Sequence, residues 1–240
     1  MMMFAGMTPK LGHDARECED RFSSSSRRFA VADGASESGY SHVWAQILAD
    51  SFCRSHASRL DSGELTAWLA RCRAEWRRWA DAAALGDLPW FARQTLRAGA
   101  FATFIGVAFS QGDWHAVACG DACLFVVRDD RLAAAFPLAD GDGFDNTPPL
   151  LPTATHVGGP GTNDLRTATG IAEPGDAFYL MSDALAHWFL ADHDRGDKPW
   201  LALDGVRTPR DFDRFVSASR ESHALKNDDV TLMTIVIVPE

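Results

Sequence analysis

The chain has 240 residues, 46% of them hydrophobic and 23% charged, which fits one large globular domain and leaves little room for two. With 33 acidic against 23 basic side chains its net charge is −10, which argues against a nucleic-acid partner because the basic footprint for phosphate backbones is missing. No apolar run is long enough to cross a bilayer, and MMMFAGMTPK has the wrong length and charge order for a secretory signal, so a cytoplasmic protein without membrane contact is expected.

In chain order, residues 28–33 read as a strand in which Phe29, Val31 and Asp33 share one face. From Ser41 to about Leu60, the spacing of Val43, Ile47, Leu48 and Phe52 predicts a helix. A second helix is expected to start at Asp61, with Glu64 three residues on as in a capping box. Its stripe of Leu65, Trp68, Leu69, Cys72, Trp76 and Trp79 predicts a core-facing side, and Arg71, Arg73, Arg77 and Arg78 read as its solvated faces. After Gly99 the texture becomes strand-like in FATFIGVAF, DWHAVACGD and CLFVVRDD. Residues 140–163, rich in Gly and Pro, read as a long functional or mobile flap. AFYLMSD predicts another strand, ALAHWFLADHD a helix, 211–222 one more helix, and DVTLMTIVIV the closing strand. Strands and helices in this order make a mixed α+β domain rather than a regularly alternating parallel sheet.

Acidic side chains recur at the ends of these strands. Asp33 closes FAVAD, Asp121 closes HAVACGD, Asp183 closes FYLMSD and Asp228 precedes the last strand, while Glu19 and Asp20 stand just before the first. Asp33 continues Phe29 and Val31; Asp121 continues Val117 and Cys119; Asp183 continues Tyr179 and Met181. Leaving such carboxylates ionised, partly buried and unpaired would cost several kcal/mol each, roughly. Either each finds its own arginine or backbone donors, or they converge on hard cations, for which a carbonyl beside Gly34 is an easy further oxygen ligand. An aspartate after a strand also simply starts turns.

Four stretches together resemble the type 2C, metal-dependent serine/threonine protein phosphatases: EDRFSSSSRRFAVADGAS, GAFATF with ACGDACLFVVR, GDAFYLMSDAL, and KNDDVTLMTIVI, in the family's order from about Asp14 to Val238. The resemblance implies a four-layer α-β-β-α sandwich, two packed antiparallel sheets flanked by helices, with two Mg²⁺ or Mn²⁺ ions at one end. It further implies that Asp33 bridges both ions, that the Gly34 carbonyl binds one, and that Asp183 and Asp228 bind the other. Glu19 and Asp20 match the pair that reaches metal directly or through water. The implied reaction is hydrolysis of phosphoserine or phosphothreonine by a water held between the cations. The implied partners are a phosphoprotein substrate and a cognate serine/threonine kinase.

The chain also departs from the family pattern. Arg16 is the candidate for the phosphate-binding arginine, but it stands three residues before Glu19 rather than four. Ala35 and Ser36 follow Asp33-Gly34 where many members carry His-Gly, and Asp229 replaces the usual Asn. Asp121 matches an aspartate of a third metal site, whose usual partner falls on His187. A small-metabolite phosphomonoesterase on the same site, or a non-catalytic module that binds a kinase or phosphoprotein, are the alternatives. DGDGFDN is no calcium loop, because Phe144 and Leu151 stand where ligands belong, and Pro160 interrupts GGPGTN as a phosphate loop. Five cysteines without paired CxxC spacing read as reduced, buried thiols.

Overall fold

The structure is a computed structural model in which residues 1–55, 60–144, 147–154 and 164–238 are described. In chain order the first half contains β1 (Met2–Thr8), β2 (Arg21–Ser24), β3 (Arg28–Gly34), α1 (Ser41–Arg54), α2 (Ser62–Ala84), α3 (Trp90–Ala98), β4 (Phe101–Ser110) and β5 (Asp113–Cys119). The second half contains β6 (Cys123–Arg128), β7 (Arg131–Phe136), β8 (Leu151–Pro152), β9 (Arg166–Ile171), β10 (Ala177–Met181), α4 (Asp183–Asp194), α5 (Pro199–Leu203), α6 (Pro209–Glu221) and β11 (Val230–Val236).

The strands form two antiparallel sheets, one in the order β1-β11-β10-β6-β7 and one in the order β2-β3-β4-β5-β9, with β8 joined to β4. Period-two alternation sends each strand's side chains to two different cores. From β3 and β4, Phe29, Val31, Ile105 and Val107 meet Leu124, Val126, Phe178, Leu180, Met233 and Ile235 of the other sheet. On the opposite face of β3 and β4, Ala30, Ala32, Phe104 and Ala108 pack under Trp44, Phe52, Trp68 and Trp76 of α1 and α2. The other sheet turns Tyr179, Met181 and Leu232 toward Phe189, Trp200 and Phe212 of α4, α5 and α6. The layers therefore run α-β-β-α, and no described helix is long and apolar enough to cross a membrane.

The strong stripes behave as read. Leu65, Trp68, Leu69, Cys72 and Trp76 are the buried residues of α2. All five cysteines are buried free thiols. Other boundaries differ. α1 stops at Arg54, with Ser55 extended, rather than continuing to Leu60. Asp61 does cap α2, accepting from the Glu64 amide at 2.9 Å, but the Glu64 carboxylate turns away to Arg71 and Ser55 instead of closing the box. The complete capping box belongs to α6, where Thr208 and Asp211 reciprocate, so that helix begins at Pro209.

Candidate active site

One end of the inter-sheet core opens into a cleft of about 790 Å³ that collects Asp33, Gly34, Asp121, Asp183, Lys226 and Asp228 among its lining residues. These groups are far apart in sequence and come from both sheets. Only Asp33 arrives by strand alternation, since Phe29 and Val31 on its face lie between the sheets. Asp121 and Asp183 correct the simple reading of their strands. Val117 and Cys119 face the α1–α2 layer, and Tyr179 and Met181 face the α4–α6 layer. Their aspartates reach the cleft because the chain turns after each strand: Gly120 adopts φ +89°, and Asp183 is the first residue of α4. A side chain at Gly120 would also collide with Thr103, 2.6 Å from where its Cβ would stand.

Gly34 is fixed by close packing. A Cβ there would lie 2.8 Å from the backbone and Cβ of Ser41 at the start of α1, and 3.0 Å from the Glu19 carbonyl. That approach brings Glu19 against α1 and the turn after β3. Its carboxylate accepts from the Ser41 hydroxyl at 2.6 Å and from the Ser36 hydroxyl. Asp229 ties down the same corner by accepting from the backbone amides of Lys10, at 2.9 Å, and Glu19, at 2.7 Å. The acid in place of the usual Asn thus serves two main-chain donors rather than adding free charge to the cleft.

Asp20 is fully buried beside these groups, and among the described residues neither of its carboxylate oxygens finds a hydrogen-bond partner. Among the described residues the buried Thr103 hydroxyl is likewise without a partner. Burial pushes the Asp20 carboxyl up to about 7, the nearby Thr231 and Ser182 hydroxyls lower it in part, and Asp183 and Asp229 raise it further. Burial also raises Asp33 well above the ordinary carboxylate value, with Asp20, Asp183 and Asp121 adding to the effect. Asp121 rises to about 7 through burial and the charge of Asp183. Asp183 is raised by burial and by Asp228, against the Ala184 amide and Lys226. Among the described residues the cation lining the cleft is Lys226, 3.2 Å from Asp228. Burial alone would lower its ammonium, but the Asp228 hydrogen bond and the charges of Asp183, Asp228 and Asp33 raise it.

The arrangement is a set of oxygen donors whose mutual repulsion keeps them from ionising together, a chemistry that suits hard divalent cations. Among the described residues no three Asp, Glu, His or Cys side chains already close on a single point as the ligands of an ion would. The donor types and the orphaned Asp20 oxygens nevertheless fit such ions.

The family profile described as protein phosphatase 2C matches residues 12–231. The chain belongs to that family. Solved structures agree in fold. The catalytic domain of the serine/threonine protein phosphatase PstP, in complex with two manganese ions, is 18% identical, with 99% of this chain and 98% of that one covered and a TM-score of 0.66. The Mycobacterium tuberculosis phosphatase PstP/Ppp is 16% identical, with 99% of each chain covered and a TM-score of 0.67. PppA, a regulatory component of the type VI secretion system in Pseudomonas aeruginosa, is 18% identical, with 98% and 97% covered and a TM-score of 0.62. No curated protein matches the chain by sequence.

Within this family fold, several expected residues sit elsewhere. Arg16 is exposed in the segment before β2, held through its backbone amide by Asp14, and is not among the residues lining the cleft. His187 is exposed on α4 and meets Phe144 edge to face at 5.2 Å instead of joining Asp121. From the 140–163 loop, Thr147, Pro148 and Leu150 line the cleft. Residues 151–153 are pinned: Trp44 donates to the Leu151 carbonyl at 2.8 Å, and Thr153 exchanges bonds with Ala100. That part of the expected flap is an edge strand on β4. GGPGTN and the Asp145-Asn146 part of DGDGFDN lie outside the described residues. Lys226 was missed, although KNDD places a lysine two residues before Asp228, because nothing local says which way that turn points.

Proposed function

We propose that the cleft removes phosphate from phosphoserine and phosphothreonine in proteins, with Asp33, Asp183 and Asp228 and the Gly34 carbonyl holding two divalent cations of the Mg²⁺ or Mn²⁺ type. The observation that carries this reading is the convergence of Asp33, Asp121, Asp183 and Asp228 on one cleft in a chain of the protein phosphatase 2C family. The two manganese ions of the PstP complex support the same donor chemistry. Such cations, when bound, supply a water of lowered pKa and polarise the phosphoryl group.

The chain's own groups have distinct tasks in this reading. Asp33, Asp183 and Asp121, raised by burial and by one another, would be held ionised by such cations. Asp20, behind them, would offer its carboxylate oxygens to such cations directly or through water, and Glu19 holds the turn after β3 through Ser36 and Ser41. Lys226 takes the role foreseen for Arg16, offering positive charge to phosphoryl oxygens at the cleft mouth. Asp121 could hold a further ion only with ligands other than His187. The reading requires a phosphoprotein substrate and a serine/threonine kinase that makes it.

The test is hydrolysis of p-nitrophenyl phosphate and a phosphothreonine peptide after chelator treatment, titrated with Mn²⁺, by wild type and Asp33→Asn. Metal-dependent turnover that the substitution abolishes is expected. Turnover that survives it would remove Asp33 from the site. Mn²⁺ binding without turnover of either substrate would replace the enzyme with a phosphoprotein-binding module.

A further inference from the structure

A second pocket, of opposite charge, lies on the α2–α3 side of the β2-β3-β4-β5-β9 sheet. It measures about 470 Å³ and is lined by Arg73, Trp76, Arg77, Leu96, Arg97 and Thr153, with small residues completing the wall and no acidic side chain among the described residues. Arg73 and Arg77 stand one turn apart on α2, and Arg97 is the basic residue of the last turn of α3. Arg73 is the deepest of the three. Its Nε donates to the Pro152 carbonyl at 3.2 Å, while its Nη2 is buried and has no partner among the described residues.

Arg73 is half-buried, and taking one guanidinium nitrogen out of water without a partner is unfavourable. Here no ion pair joins Arg73, Arg77 or Arg97 to any described carboxylate. Glu64 and Glu75, which border the adjoining groove with Arg77, are engaged by Arg71 and Arg54. The sequence of 155–163, which follows Ala154 of the pocket wall, contains no Asp or Glu. Burial pulls Arg73 below the ordinary guanidinium value, with only the Cys72 thiol acting against it. Asp81 also borders that groove, one turn beyond Arg77, but no described carboxylate lines the pocket itself.

We propose that the pocket binds a phosphate-type oxyanion, gripped by the guanidinium groups of Arg73, Arg77 and Arg97 at a site separate from the acidic cleft. Planar guanidinium forks match tetrahedral oxyanions through paired N–H···O bonds, and a phosphate carrying nearly two negative charges answers a cluster of three cations. The volume suits a phosphoryl group with part of its carrier as well as the free ion. The inference does not depend on the cleft being a phosphatase site. The two are neighbours, since Thr153 of the pocket wall is bonded to Ala100, next to Phe101 of the cleft.

The test is calorimetric titration of the full chain, kept in chelator, with orthophosphate against chloride at equal ionic strength. Saturable phosphate binding is expected in wild type and in Asp33→Asn, weakened about tenfold or more in Arg97→Ala and in Arg73→Met. Arg97 is exposed, so its variant reports binding even if Arg73→Met folds poorly. Binding that survives both arginine substitutions, that chloride reproduces, or that Asp33→Asn alone removes would overturn the proposal. A phosphopeptide, its unphosphorylated counterpart and free phosphate in competition then identify the source. Tighter binding of the phosphopeptide points to a phosphoryl group carried on protein, and equal binding points to free orthophosphate.

Discussion

Strand β10 has a buried or half-buried aspartate at each end, and the two are treated in opposite ways. Asp176, just before the strand, is 1% exposed and fully engaged. Arg128 donates to both of its carboxylate oxygens at 2.7 Å, and the Glu173 amide adds a third bond at 2.8 Å. Asp183, just after the strand, accepts one bond from the neighbouring Ala184 amide and otherwise faces Asp33, Asp20 and Asp228. The first acid stabilises the fold because its charge is answered from within. The second is held among like charges, a cost that a protein sustains where an external cation is to be bound.

Exchanging the two ends gives the largest expected effects. Asp183→Asn should reduce metal-dependent turnover by more than the ~10–100-fold typical of groups that only support a ligand, while the melting temperature in chelator stays level or rises. Asp176→Asn should do the reverse, costing roughly 1.5–3 kcal/mol in denaturant titration because its charge-assisted bonds from Arg128 are lost while Arg128 keeps Glu173, with activity per folded molecule retained. If Asp176→Asn abolishes turnover at full stability, the contrast fails.

Gly34→Ala should come next. Its methyl would stand 2.8 Å from Ser41 backbone and side-chain carbons, and a clash of this kind costs about 1–3 kcal/mol. The displacement falls on the corner where Glu19 meets α1, so turnover should drop along with stability, and full activity would show that this corner tolerates movement.

The pH dependence of the ion-free protein sharpens the comparison further. Asp20 moves from an ordinary 3.8 to about 7 on folding, and Asp121 does the same. Between those values the folded chain holds protons that the unfolded chain has released, so stability falls as pH rises through this window. Wild type in chelator should therefore lose stability relative to Asp20→Asn as pH rises from about 4 to 7, and excess Mn²⁺ should cancel much of that loss. Parallel curves for the two proteins would mean that Asp20 carries no such burden. The smallest effect is expected from Lys226→Met. An exposed ammonium is worth up to about 1 kcal/mol, or roughly a fivefold rise in KM, with kcat less affected. An unchanged KM would remove Lys226 from substrate contact.

Legibility followed how local each signal was. The helix stripes of α1 and α2, and the long apolar runs of β4, β5, β6 and β11, could be read because burial is written into their period. Edge strands were invisible: β2, β7 and β9 carry mixed or exposed residues, and β1, MMFAGMT, has no alternation that would mark it as the partner of β11. These segments become strands by pairing with a neighbour, which is a tertiary fact.

For the site, the residue types of Asp33, Asp121, Asp183 and Asp228 and their positions at strand ends were determined by the sequence alone, because acid after a greasy strand is a local pattern. Their convergence was decided only by the fold. The positive φ at Gly120 and the start of α4 at Asp183 turn two aspartates off helix-facing strand faces into the space between the sheets. The same folding leaves Arg16 outside, brings Lys226 in, and half-buries Arg73, read from sequence as solvated, in the wall of a pocket beside α3. Sequence spacing sets which face of one element a side chain takes; which other face it meets is set by how the elements pack.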